Sequence, residues 1–189
     1  MLQERSAAPD FSVKGRKMGG KTEYLDLYDE NGALTGEIIK RGDPVPKGRF
    51  RAGAEIFTVD GKGRLLVTKR HPDKHNPNLW ECTGGAVMSG ETPLQGAVRE
   101  LWEETGIKAS PDELEPVGVL REDVKSGFMH GYLLKKAVRL EDLRLQPDEV
   151  TDAKWVTAEE FSAMNDKGEV VPWVYARYLK FEIERKMTL

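Results

Sequence analysis

Gly85 to Ile107 constrains this chain more than any other stretch, and it reads GAVMSGETPLQGAVRELWEETGI. Thr92 opens a helix signature. The threonine side chain can take a free backbone N–H, Pro93 fits the first helical position, and Gln95 can reach back to the N–H of Thr92. Gly106 is the matching stop, because glycine turns left-handed without steric cost. The spacing predicts a helix from about Pro93 to Thr105.

At 100° per residue, Leu94, Ala97, Val98 and Leu101 form the core stripe of that helix, and Glu100, Glu103 and Glu104 share a neighbouring arc. Like charges at i, i+3 and i+4 cost a few tenths of a kcal/mol each, and acids in a last turn oppose the helix dipole. A divalent cation removes the objection, since hard cations bind carboxylate oxygens converging from a rigid element. Taken alone, the three carboxylates also read as a solvated acidic face.

The spacing of the whole stretch resembles the Nudix box at every specified position. Gly85 is followed after five residues by Glu91, then after seven by Arg99-Glu100-Leu101. One residue on come Glu103-Glu104, and one further Gly106-Ile107. Chance agreement anywhere in the chain is on the order of 10⁻⁷. The resemblance implies an α/β/α sandwich with a mixed sheet, the box helix on one side and terminal helices on the other. It implies a pyrophosphohydrolase acting on a nucleoside diphosphate derivative or similar organic pyrophosphate. Its cofactor would be Mg²⁺, with Mn²⁺ as the alternative, held by Glu100, Glu103 and Glu104 and by the main-chain carbonyl of Gly84. Arg99 pairs with a box carboxylate and holds the region in place, while Glu91, in the preceding loop, reads as structural. Family members use either a box glutamate or a later-loop acid as general base, so Glu103 and Glu149 are named jointly, with Asp148 and Asp152 behind Glu149.

Around the box, residues 1–21 read as a flexible arm and residues 22–48 as an N-terminal hairpin extension. By the same resemblance, residues 49–189 are expected to form the Nudix domain (box 85–107) with C-terminal helices. In the extension, Tyr24–Tyr28 and Ala33–Lys40 flank an Asp-Glu-Asn-Gly turn. A second hairpin is expected from Ala54–Val59, Asp60–Gly63 and Arg64–Lys69. Strands follow over Leu114–Leu120, Phe128–Val138 and around Trp155, and Thr157 and Glu160 cap a short helix. The terminal helix from Pro172 has two apolar sides, Val174, Tyr178 and Phe181 against Tyr175, Leu179 and Ile183. The second docks another copy of the chain as a homodimer, or seats the helix deeper in its own domain.

Substrate contacts are expected from Lys69, Arg70 and Tyr132, with Lys74 and His75 in reach of phosphate and Trp80 or Tyr132 placed to stack a base. None of these belongs to a motif, because loops set specificity on such scaffolds.

A net charge of −3 argues against a nucleic-acid binder, and no apolar run approaches a membrane span. One cysteine cannot form an internal disulfide, and the first residues lack an apolar signal core. The expected location is the cytoplasm, and the expected partner is a small diphosphate.

Two rival functions stay open. The two hairpins ahead of the box resemble isopentenyl-diphosphate isomerase, yet that enzyme has a catalytic cysteine where this chain has Gly84. Cys82 is displaced from that position by two residues. A non-catalytic nucleotide sensor is the other rival, and such relatives often lose box glutamates that are all present here.

Overall fold

The computed structural model describes residues 22–187, so the arm expected over 1–21 lies outside the described residues. The chain first forms β1 (Tyr24–Tyr28) and β2 (Leu34–Lys40), an antiparallel pair standing as its own two-stranded sheet. Asp29 closes the turn. Its Oδ1 accepts from the N–H groups of Asn31 and Ala33, each at 2.9 Å.

The main sheet has seven strands: β3 (Arg51–Val59), β4 (Leu65–Arg70), β5 (Trp80–Glu81), β6 (Thr83–Ala86), β7 (Leu114–Glu122), β8 (Gly127–Lys135) and β9 (Val150–Val156). The central path runs β5-β4-β3-β8-β7, with β6 paired to β3 and β9 to β4. β3 and β8 are parallel and the other pairs antiparallel, which makes the sheet mixed.

The expected second hairpin forms, but its ladder is short. The turn after Val59 is present, but β3 and β4 are in register only at Val59 and Leu65. β4 then leaves to pair with β9 from Leu65 to Arg70, while β6 takes the freed edge of β3 opposite Gly53 to Ile56. The sheet therefore splits, and residues 80–86 cross the split.

Side chains alternate across β3, as a strand requires. Ala52, Ala54 and Ile56 face α1 (Pro93–Thr105) with its Ala97, Val98 and Leu101. Phe57 and Val59 face the helices α2 (Ala158–Asp166), α3 (Pro172–Lys180) and α4 (Ile183–Met187). The result is an α/β/α sandwich with one apolar core on each face of the sheet. The caps of α1 form as its sequence dictates: Gln95 N donates to Thr92 Oγ1, Thr92 N donates to Gln95 Oε1, and Gly106 takes φ +73°.

The terminal helix is interrupted. Glu182 takes φ +53° between α3 and α4, which swings Ile183 back into the core. Tyr175 packs against the same core, leaving Leu179 exposed. The domain's own core thus takes up most of the second apolar side. No helix among the described residues is long and apolar enough to cross a membrane.

Candidate active site

A cleft opens where the sheet splits, with α1 on one side and the start of α3 on the other. Its lining includes Gly53 to Glu55 of β3, Gly84 to Ala86 of β6, and Glu100, Glu103 and Glu104 of α1. Glycines let helix and strand approach. A Cβ on Gly85 would lie 2.3–2.7 Å from the Glu100 carboxylate, so a side chain there would displace it. A Cβ on Gly84 would lie 2.4 Å from the Ala54 carbonyl oxygen and 3.0 Å from Glu55 Cα. Backbone cannot yield as a side chain can. Gly84→Ala is expected to cost about 1–3 kcal/mol, read as a lower urea midpoint; an unchanged midpoint would show that β6 shifts freely.

Arg99 organises the box side. Its Nε and Nη2 donate to the Glu91 carboxylate at 2.7 and 3.0 Å, Nη2 also to the Ala86 carbonyl at 2.9 Å, and Nη1 to Glu100 and Glu103 at 2.8 and 3.0 Å. Every N–H of the guanidinium is used. Burial works against its charge, but the hydrogen bonds and charges of Glu91 and Glu100 outweigh it and fix it as a cation. Glu91 also accepts from Met88 N at 3.0 Å, so it ties the loop to the helix.

The box glutamates differ in setting. Glu103 stands near the rim with 44% of its side chain exposed, whereas Glu100 and Glu104 are buried. Burial pushes both carboxyls above the usual range, against the pull of Arg99 on Glu100. The neighbouring acids Glu100 and Glu81 raise Glu104 further, and Lys74 only partly offsets them. Glu104 Oε2 accepts from Gly84 N at 3.3 Å.

Four further charged groups close this end. Arg70 grips Glu81 through Nη1 at 2.6 and 2.7 Å, and Lys74 pairs with Glu149. Five acids (Glu81, Glu100, Glu103, Glu104, Glu149) thus face four bases, Arg41, Arg70, Lys74 and Arg99. Among the described residues no three carboxylates, imidazoles or thiols converge as a ready cage. Arg99 draws one oxygen each from Glu100 and Glu103. A divalent cation fits the donor set nonetheless, since buried, mutually repelling carboxylates exchange protons for a hard cation.

Of the substrate contacts expected from sequence, Arg70 lines the cleft, already bound to Glu81. Tyr132 does not: it is 7% exposed in the core under α1. The alternation of β8 put Tyr132 on the face that α1 covers. Lys69 also lies away from the lining, its Nζ 5.7 Å from the ring of the buried Trp80, which is itself no base platform. Lys74 and Glu149 line the cleft, and Asp148 and Asp152 do not.

The α3 side holds groups that sequence reasoning passed over: Glu55, Glu122, Lys125, Trp173 and Arg177. A signal existed. Glu55 is the one acid in the apolar run Ala54–Val59, and Arg177 sits on the stripe of Val174, Tyr178 and Phe181. Arg177 meets Glu122 through Nε and Nη2, both at 2.7 Å, and Glu55 through Nη1 at 3.2 Å. Burial pushes the Glu55 carboxyl up to about 8 despite Arg177. Cys82 is buried in the core, its thiol pushed well up by burial and by the nearby Glu55 and Glu81.

A family model described as the NUDIX domain matches residues 49–174. An uncharacterised Nudix hydrolase of Listeria monocytogenes is 35% identical over 169 residues, covering 88% of this chain and 98% of that protein. An isopentenyl-diphosphate Delta-isomerase of Streptomyces coelicolor is 32% identical over 157 residues, 79% of this chain and 78% of that one. Among solved structures, DR0079 of Deinococcus radiodurans superposes with a TM-score of 0.66 at 29% identity, covering 79% of this chain and 92% of that one.

Proposed function

Because the chain belongs to the Nudix hydrolase family, we propose that its cleft hydrolyses the diphosphate linkage of a nucleoside diphosphate derivative or a similar small organic pyrophosphate. The crowding of buried Glu100 and Glu104 against Gly84 and Gly85 carries the reading, because five carboxyls there outnumber the nearby bases Arg41, Arg70, Lys74 and Arg99 and a cation would let the buried ones ionise. Glu100, Glu103, Glu104 and the Gly84 carbonyl are the groups for Mg²⁺ or Mn²⁺. When bound, such an ion neutralises phosphate charge and acidifies water.

The remaining work falls to the chain. Arg99 keeps Glu100 and Glu103 oriented through its two Nη1 bonds, a support that metal sites need. Glu103, near the rim, and Glu149, paired with Lys74, are the candidates to take the proton of the attacking water. Arg70 and Lys74 supply positive charge beside the phosphates, where phosphoryl transfer depends on positioning and charge stabilisation. The 22–48 hairpin acts as an extension that clamps the loop before α1. Asp26 accepts from Ser89 Oγ at 2.6 Å and from Gly90 N at 2.9 Å. The single buried thiol suits the cytoplasm.

A phosphate-release screen with Mg²⁺ or Mn²⁺ across sugar nucleotides, dinucleotides, coenzyme A, nucleoside triphosphates and prenyl diphosphates tests the reading. Turnover of none of them in either metal sinks it. The similarity to the Streptomyces isomerase motivates one control, isopentenyl diphosphate monitored for double-bond migration. None is expected, since Gly84 stands where that chemistry places its cysteine and Cys82 is buried. Cys82→Ala is accordingly expected to keep hydrolysis within about twofold of wild type, an inert thiol being a small core residue. A loss of tenfold or more in a folded variant would restore the thiol to the mechanism.

A further inference from the structure

The end of the sheet away from the cleft has the opposite electrostatic character. β3 and β8 run parallel. Both start at the cleft, with Arg51 and Gly127, and both finish at the far end, with Val59 and Lys135. From Gly53 to Val59 is about 20 Å along the strand. There a concavity of about 730 Å³ lies between the Asp60–Gly63 turn, the chain leaving β8 and the end of α4. Lys62, Lys135, Lys136 and Lys186 line it against one acid, Asp60, in a chain whose net charge is −3. Asp60 is already committed. Its Oδ1 accepts from the N–H groups of Lys62 and Arg64, both at 2.9 Å, and its Oδ2 from Arg64 Nε and Nη2 at 2.9 and 2.6 Å. Lys136 is committed too, its Nζ donating to the Lys108 carbonyl and the Glu113 carboxylate at 2.8 Å each. Among the described residues, the ammonium groups of Lys62, Lys135 and Lys186 meet no carboxylate. Their stems are nevertheless rooted in fixed backbone. The Lys62 turn is closed by Gly63 N donating to the Asp60 carbonyl at 3.2 Å, and the chain after Lys135 by Lys136 N donating to the Val59 carbonyl at 2.8 Å. Lys186 is half-buried in α4, whose end abuts the turn: a Cβ on Gly63 would lie 3.3 Å from the Met187 carbonyl oxygen. Buried Val59 and Met187 give the concavity an apolar floor.

We propose that this far end is a second binding site, which takes the diphosphate group of a small molecule between Lys62, Lys135 and Lys186. A concavity lined by charge of one sign focuses its field and draws the counter-charge in. Ammonium groups on flexible stems serve phosphate as point charges, without the fixed fork of arginine. A single carboxylate would neutralise one of the three lysines and leave the others facing each other. A diphosphate spreads several charges over adjacent oxygens and can meet all three, in charge-assisted hydrogen bonds. The volume is that of a small-molecule site, whereas a nucleic-acid strand is tracked by an extended basic groove. The site shares no lining residue with the cleft, so it stands whatever reaction the cleft performs.

The test titrates the full ¹⁵N-labelled chain with inorganic pyrophosphate and with ADP, in EDTA so that no cation bridges either ligand to the carboxylates of the cleft. Saturable shifts are expected at the amides of Lys62, Gly63, Ala137 and Met187. The tighter of the two ligands tells a free diphosphate from a nucleoside-borne one. Lys62→Gln, Lys135→Gln and Lys186→Gln combined should weaken binding there tenfold or more. Surface lysines contribute little to stability, and an otherwise unchanged spectrum confirms the fold. Shifts confined to the cleft, or no saturable shift at the far end with either ligand, overturn the proposal. So do equal shifts from sodium chloride at matched ionic strength, which would mark plain charge screening. An affinity unchanged in the folded triple variant overturns it as well.

Discussion

Glu104→Gln is expected to lower metal-dependent hydrolysis by about 10³-fold or more while leaving the fold at least as stable. Glutamine keeps the shape and an oxygen for Gly84 N but cannot carry charge to a cation. Burial raises the Glu104 carboxyl well above its ordinary 4.5. A carboxyl raised in the folded state contributes stability that is fully present below the unfolded value and is lost as pH climbs through the folded one. Without metal, the wild type is therefore penalised at neutral and alkaline pH, and the variant is spared. Metal ligands must deprotonate to bind, so Mg²⁺ should raise the wild-type melting temperature more at pH 8 than at pH 6. It should leave Glu104→Gln nearly unmoved. Wild-type turnover in the variant, or equal melting shifts in both proteins, would remove Glu104 from the metal site.

How much of the fold is legible in the sequence follows from how local each signal is. α1 was fully legible because Thr92, Pro93, Gln95 and Gly106 act within one or two turns, and the box glutamates hang from the same helix. The splitting of β3 from β4 was not. Asp60 to Gly63 makes the turn of a hairpin, but the partner that draws β4 away is β9, more than eighty residues later. The site divides the same way. Its α1 half was spelled out by fixed spacing, whereas Glu55, Glu122 and Arg177 come from three distant segments that only the fold unites. Tyr132 shows the limit of periodicity: alternation gives two faces to a strand without saying which one the cleft uses.

Arg177→Ala should carry the largest stability cost, about 3–5 kcal/mol near neutral pH, because it strips the cation from two carboxyls in a buried corner. Arg177 is 5% exposed and its three bonds tie α3 to β3 and β7. The two acids it serves respond oppositely to pH. Glu122 is held below its usual range: burial raises it, but the hydrogen bond and charge of Arg177 prevail. Its stabilisation is present above about 4.5 and fades as pH falls through the lower folded value. Glu55, raised to about 8 by burial, works the other way, its stabilisation fading as pH rises from about 4.5 toward 8. Loss of Arg177 raises Glu55 further, so the variant's deficit should widen from pH 6 to pH 9 in urea unfolding. Adding Glu55→Gln should remove much of that widening, since an amide cannot ionise. A deficit flat across that range, unaltered by Glu55→Gln, would mean that Arg177 stabilises through packing of its stem alone and that Glu55 is not under its electrostatic control.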